Sequence, residues 1–188
     1  MLRILFIFVV AACSGCTATG GVNPDWTRWA QQQGGLLHDQ REGRARETLA
    51  RLSGAGAPTS LTIHVLDSSI PTAYAWPGGA IFVTRGLVDL LPSQDELTAV
   101  VAHEVGHLVD GGHFHSVMTL GGCNPSTPDA ESRADDLACH LLQNEQLPGD
   151  SLIRALQKVQ ASRYLSAACR QGLQQRIGRL AQHMQSSR

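Results

Sequence analysis

The pentapeptide HEVGH at positions 103–107 constrains the fold of this chain more than any other feature. On an α-helix, residues four apart lie on the same face, one turn from each other, so His103 and His107 can both reach one metal ion. The residues before the motif, at 99–102, are all apolar, which predicts a buried helix where unpaired histidine and glutamate side chains would be costly. The pattern therefore predicts a metal site in which Glu104 stays free to take a proton from a water molecule.

The ends of this helix are indicated by capping and breaking residues. Ser93 and Glu96 match a capping box, which predicts that the helix begins at Ser93. Two glycines at 111–112 predict its end. Gly106, between the two histidines, removes a side chain at a point where another helix or a loop could approach closely.

A third metal ligand has to come from elsewhere in the chain. Catalytic zinc ions generally take three protein ligands and leave one position for water or substrate. The acidic stretch at 129–136 lies on a second predicted helix, where Glu131 and Asp135 share one face. Glu131 can then bind the metal while Asp135 accepts the free ring N–H of a ligating histidine. Asp129 and Asp136 are interpreted as solvated acids near the start of that helix.

Strand patterns lie in the first half of the chain and helix patterns dominate the second half, which indicates the α+β class. Alternating or β-branched runs predict strands at 61–66, 72–76 and 80–84. Helical periodicity predicts helices at 36–52, 86–91, 93–110, 130–144, 150–164 and 167–185. The cap of the fourth of these helices is expected to be Thr127 or Asp129. We therefore expect a small antiparallel or mixed sheet beside a helical C-terminal half.

The first 16 residues predict a bacterial export signal. An apolar run at 4–12 follows Arg3 and is shorter than the roughly 20 residues that a membrane-spanning helix needs. The tetrapeptide at 10–13 is similar to a lipobox, which predicts that Cys13 carries the lipid. Two alternatives stay open: lipidation at Cys16, or an ordinary signal peptide without a lipid.

The export signal leads to a prediction for the domains and for the location of the protein. We expect a tether at 17–35 and a single domain at 36–188. The location would be the bacterial periplasm, where the N-terminal lipid anchors the protein to the outer membrane. The formal net charge of −1 gives no electrostatic basis for binding nucleic acid. The oligomeric state is left open.

Export would place Cys123, Cys139 and Cys169 in an oxidising compartment, where disulfides form. Cys139 and Cys169 lie on two predicted helices that could be neighbours. A bridge between these two and a set of buried free thiols are both open at this stage.

The motifs together resemble the CaaX-prenyl-protease/HtpX family of zinc metallopeptidases. In that family HExxH is followed by ExxxD, as HEVGH at 103–107 is followed here by ESRAD at 131–135. The segment AYAWPGGAIFVTRGL at 73–87 is similar to a further stretch of the family, although Thr72 stands where asparagine is usual. The resemblance spans about half of the chain, from 61 to 159.

The resemblance implies a zincin-like metallopeptidase fold and one Zn²⁺ per chain. It assigns His103, His107 and Glu131 as metal ligands, Glu104 as the catalytic glutamate, and Asp135 as the partner of a ligating histidine. It also implies the compact, exported, periplasmic branch of the family.

In zincin-like proteases the substrate lies extended beside an edge strand, and the run at 80–84 is the best candidate for it. This run consists of Ala80, Ile81, Phe82, Val83 and Thr84. Four side chains are candidates for stabilising the oxyanion, and each could equally be an ordinary surface or packing residue: His113, His115, Tyr164 and Arg176. His113 or His115 could instead approach the zinc and occlude it.

The sequence thus favours a zinc-dependent endopeptidase that hydrolyses peptide bonds of misfolded or unassembled envelope proteins. The alternative is a latent or inactive zinc-bound interaction module at the membrane. The presence of Glu104 disfavours that alternative, because an inactive copy often loses the catalytic glutamate. A purely structural zinc site would need a fourth closed ligand.

Overall fold

The computed structural model describes residues 24–110, 118–119 and 128–186 of the 188-residue chain. The described elements are α1 Pro24–Gln32, α2 Gln40–Gly54, β1 Thr62–Leu66, β2 Ala73–Trp76, β3 Ala80–Thr84, α3 Arg85–Leu90, α4 Gln94–Val109, β4 Met118–Thr119, α5 Pro128–Asn144, α6 Ser151–Ala161 and α7 Ala167–Ser186. The predicted α+β class is confirmed, and the predicted helix ends differ from the observed ones by four residues or fewer.

The strands form one mixed sheet in the order β1-β3-β2-β4. Strand β3 pairs in parallel with β1 and antiparallel with β2, so both of its edges are hydrogen-bonded. The predicted role of β3 as the substrate-binding edge strand is therefore wrong for all five of its residues, Ala80, Ile81, Phe82, Val83 and Thr84. All five are buried, and their β-branched and aromatic composition is that of a strand covered on both faces.

Helix α4 lies at the centre of the molecule, in contact with the sheet and with α2, α5 and α6. Every residue from Glu96 to His107 is buried, as expected of a helix that is covered all round. Small side chains let it approach the sheet, since Ala73 and Ala75 are the residues of β2 on the buried face. The HEVGH segment therefore belongs to the best-packed helix of the fold.

The predicted capping box at the start of α4 is wrong. Ser93 is the N-cap residue, but its side chain makes no capping hydrogen bond. Glu96 is buried, and its Oε2 accepts a hydrogen bond from Lys158 Nζ at 2.6 Å. Because α6 supplies this cation, the Glu96 carboxylate bonds across to α6 instead of back to the helix start. Helix α5 begins at Pro128, which suits the first turn of a helix, so Asp129 lies inside it.

The segment predicted as a tether contains helix α1, which lies on the outer face of the sheet. Its Trp26 and Ala30 are buried, and the Trp26 ring lies 5.3 Å from the Phe82 ring. Trp29 packs against Trp76 with 5.0 Å between ring centroids. The tether prediction is thus wrong for α1, because its tryptophans bury against the sheet. The rest of the tether, at 17–23, and the predicted signal peptide lie outside the described residues.

Two further findings concern the cysteines and the membrane. Cys139 is a free thiol, whereas Cys169 is disulfide-bonded, so a Cys139–Cys169 bridge is excluded. Cys13, Cys16 and Cys123 lie outside the described residues. Within the described ranges, no helix has both the length and the apolar character that crossing a bilayer requires.

Candidate metal centre

The centre is built where α4 and α5 cross, and Gly106 sets how closely they approach. A Cβ atom at Gly106 would lie 2.7 Å from the Ala134 Cα and 2.8 Å from the Ala134 carbonyl oxygen. Any side chain at Gly106 would therefore push the helix backbones apart. The close crossing brings the Glu131 and Asp135 face of α5 against the two histidines of α4. The predicted close approach at Gly106 is thus the approach of α5.

His103, His107 and Glu131 converge as a possible set of metal ligands. The two histidine Nε2 atoms are 3.0 Å apart. Glu131 Oε2 lies 3.4 Å from His103 Nε2, and Glu131 Oε1 lies 3.5 Å from His107 Nε2. Tetrahedral zinc with bonds of about 2.0–2.1 Å would separate its ligand atoms by about 3.3 Å. One donor atom from each of the three side chains lies within 4.8 Å of the other two, so the set can hold one metal ion.

Asp135 lies behind His103, as the sequence predicted. Its Oδ1 is 3.0 Å from His103 Nδ1, and both side chains are buried. A hydrogen bond from Nδ1–H to this carboxylate leaves Nε2 as the lone-pair nitrogen directed toward His107 and Glu131. Burial raises the pKa of Asp135, but the charge of Arg176 and the contact with His103 outweigh it, so the pKa lies below its usual range.

Glu104 is fully buried, and within the described part of the chain neither of its carboxylate oxygens has a hydrogen-bond partner. Burial raises its pKa to about 8, although the neighbouring His107 and Arg176 lower it. A buried carboxylate without a partner is costly. A cation and a water molecule at the adjacent ligand set would satisfy both its charge and its lone pairs. This carboxylate is the strongest sign in the structure that the site is built for a metal.

Arg176 was a sequence candidate for stabilising the oxyanion, and the structure places it against His103 and Glu131 of the ligand set. It reaches in from α7, where Nη1 donates to Glu131 Oε2 at 2.9 Å and Nε donates to Asp135 Oδ2 at 2.8 Å. Its donors are therefore already bonded to the two carboxylates. The sequence did hold a signal for this position, since Arg176 lies on the same helical face as Leu173, Ile177 and Leu180, which are buried.

A divalent cation would balance the charges of this cluster when its three acids are ionised. Glu104, Glu131 and Asp135 are all buried acids, and Arg176 is the cation among them. With all three acids ionised, the four side chains carry two net negative charges. Because uncompensated charge is expensive in a protein interior, one divalent ion suits this group.

The remaining oxyanion candidates lie apart from this cluster or outside the described residues. Tyr164 is 41% exposed, and its hydroxyl accepts a hydrogen bond from Arg163 at 3.2 Å. It also contacts Ser69 at the start of the turn before β2. His113 and His115 lie outside the described residues, so their predicted roles stay predictions.

Comparison with known proteins agrees with the geometry of the site. The sequence profile of peptidase family M48 matches residues 38–127. A protein named "Protease HtpX homolog" from Aeropyrum pernix is 47% identical over 66 residues, which is 33% of this chain and 19% of that protein. A protein of the same name from Thermoplasma volcanium is 39% identical over 84 residues, or 43% of this chain and 25% of that one.

A mitochondrial relative also matches. "Mitochondrial metalloendopeptidase OMA1" of Schizosaccharomyces pombe is 40% identical over 47 residues, which is 25% of this chain and 14% of that protein. This chain thus spans a quarter or less of the length of each of the three relatives. The profile match includes HEVGH and ends before Glu131, Asp135 and Arg176.

Proposed function

The chain belongs to peptidase family M48, and on this premise we propose that it is a zinc-dependent endopeptidase. His103, His107 and Glu131 would hold the ion, and Glu104 would act as general base. The observation that carries the proposal is the Glu104 carboxylate, which is fully buried and has no hydrogen-bond partner among the described residues, beside three side chains that converge as possible metal ligands. A structural metal site has no need of such a group.

Zinc is the metal that this ligand set favours. Two imidazoles and one carboxylate form the usual protein ligands of catalytic zinc, which keeps a further position for water or substrate. Magnesium and calcium prefer oxygen ligands, which two histidines do not supply.

Zinc held at these three residues would polarise the scissile carbonyl and make an attacking water more acidic. Glu104 would accept the proton of that water and later donate it to the leaving amine. Burial, which raises the pKa of Glu104, favours uptake of the proton by its carboxylate. Asp135 would hold the His103 ring in the orientation that its Nδ1–Oδ1 contact of 3.0 Å sets.

The location and the substrate class are also proposed. An exported, lipid-anchored enzyme in the bacterial periplasm is supported by the apolar run at 4–12 and the lipobox that ends at Cys13. The disulfide at Cys169 is typical of a chain in an oxidising compartment. Misfolded or unassembled envelope proteins would be the substrates. Cell fractionation with Cys13→Ala and Cys16→Ala variants tests the anchor, and release by Cys16→Ala alone would identify Cys16 as the lipidated residue.

Substitution of Glu104 by Gln tests the proposed reaction. The variant should bind one zinc ion as the wild type does and lose cleavage of casein, an unfolded protein. Glu47→Gln is the matched control, because Glu47 is an exposed glutamate on α2. Chelation should abolish wild-type cleavage, and zinc should restore it. Equal cleavage by Glu104→Gln and wild type would defeat the mechanism, whereas zinc binding without cleavage by either would favour the latent module.

A further inference from the structure

We propose that Arg176 is a positioning residue of the metal centre, which holds the carboxylates of Glu131 and Asp135 in place at the ligand set. The inference rests on the proposed zinc site and assigns a role to a helix beyond the profile match at 38–127. Arg176 would act through the metal ligands without touching substrate.

The guanidinium bonds to both acids of α5 at once. Its Nε lies 3.0 and 2.8 Å from the two carboxylate oxygens of Asp135, and Nη1 lies 2.9 Å from Glu131 Oε2. The planar fork of donors in arginine suits this double contact, which a lysine ammonium cannot reproduce.

The same guanidinium is coupled to His103 through Asp135. Arg176 Nη2 lies 2.8 Å from His103 Nδ1 and 3.1 Å from His103 Nε2. The contact with Nδ1 is not a hydrogen bond when Nδ1 donates its proton to Asp135, and a metal ion bound at Nε2 would occupy the lone pair of that nitrogen. Arg176 Nη2 and His103 Nδ1 instead share Asp135 Oδ1 as their acceptor. Arg176 thereby sets the position of Asp135, and Asp135 sets the ring of His103.

Because Arg176 is buried, its charge must be compensated by the acids that it contacts. It is 4% exposed, and among the residues that the structure describes no other arginine or lysine is buried. Its neighbours on the same face of α7, Leu173 and Ile177, are apolar. A role in packing alone would be met by another apolar side chain, since removing a charge from water is costly unless partners compensate it.

Zinc affinity of two variants tests this inference. Arg176→Met keeps the length and removes the charge, and Arg176→Lys keeps the charge and removes the fork. Arg179→Met is the matched control, because Arg179 lies one turn further along α7 and also contacts α5, through Ser132. Affinity is measured by competition with a chelator, ligand geometry by the visible absorption of the Co²⁺-substituted protein, and stability by unfolding with and without zinc.

The expected loss of affinity for Arg176→Met is about 10–100-fold, as for other partners of metal ligands. Arg176→Lys should fall between Arg176→Met and the wild type. The Co²⁺ spectrum should change in Arg176→Met and stay the same in Arg179→Met. If Arg176→Met does not fold without zinc, Arg176→Lys supplies the measurement.

Two results would overturn the inference: wild-type affinity with an unchanged Co²⁺ spectrum, or equal losses of stability with and without zinc, which would show a role in folding only. Failure of both variants to fold even with zinc would count against it in the same way. A wild-type protein that binds no zinc would instead defeat the proposed function.

Discussion

The helices on the two faces of the sheet bury different kinds of side chain. On the outer face, α1 buries Trp26 against Phe82 in a cluster of aromatic rings. On the inner face, α4 carries His103 and Glu104, which are both fully buried polar groups. The outer contact needs only apolar surface of suitable volume, whereas the inner one needs partners at defined distances and a balanced charge.

The stability of the inner face depends on a ligand, whereas that of the outer face does not. The aromatic face is complete within the chain, because rings packing on rings need no further partner. The inner face holds an excess of buried acids, and the Glu104 carboxylate among them has no hydrogen-bond partner in the residues that the structure describes. Zinc should therefore stabilise the helices around α4 and leave the outer face unchanged.

The largest expected effect comes from the aromatic face. Phe82→Ala should lower the free energy of unfolding by about 3–5 kcal/mol, because it removes a fully buried ring from the centre of the cluster. Zinc affinity of the folded variant should stay as in the wild type. Denaturant unfolding and chelator competition measure the two quantities. A loss of zinc affinity in Phe82→Ala would show that the outer face and the metal site are not independent.

A smaller loss of stability, with a change in metal binding, is expected at the helix crossing. Gly106→Ala places a Cβ against the Ala134 backbone, so it should cost about 1–3 kcal/mol and weaken zinc binding. Gly172→Ala is the control, since Gly172 lies in helix α7 with open space around it. That substitution should stabilise the protein by about 0.5–1 kcal/mol and leave zinc affinity unchanged. Equal behaviour of the two variants would show that the crossing distance is not what sets the site.

The smallest expected effect is on tryptophan emission. All three tryptophans of the chain, Trp26, Trp29 and Trp76, belong to the outer cluster. Chelating the zinc should lower stability, by about 2.7 kcal/mol if the ion was present at 100 times its dissociation constant. The emission spectrum of the folded protein should not move. A shift of the emission maximum on chelation at low temperature would show that the two faces are coupled.

The local part of the site could be predicted from the sequence because helical spacing fixes it. His103 and His107 are one turn apart on any helix, and so are Glu131 and Asp135. Once each segment was predicted to be helical, the two members of each pair could be placed on one face. The position of Arg176 depends on how α7 docks against α5, which periodicity does not give. The apolar face of α7 did contain one arginine, and that mismatch was the available signal.

The order of the strands in the sheet could not be predicted from the sequence either. The run at 80–84 was predicted to be a strand, and it is one, but its place between β1 and β2 depends on long-range pairing. An apolar strand without alternation is typical of a central strand, and this pattern would have argued against an edge. The tether prediction that includes helix α1 rested on the glycine, threonine and small residues at 17–24. The aromatic partners of the two α1 tryptophans lie on β1, β2 and β3, which are distant in the sequence.

The zinc affinity of Glu131→Gln, compared with that of the wild type, tests the central claim most directly. The wild type should bind one zinc ion per chain, and the variant should bind it about 100-fold or more weakly, because a charged ligand is lost. Asp129→Asn, an exposed acid on the same helix, should leave affinity unchanged. Equal zinc binding by wild type and Glu131→Gln would contradict the account, because α5 would then contribute no ligand at this position.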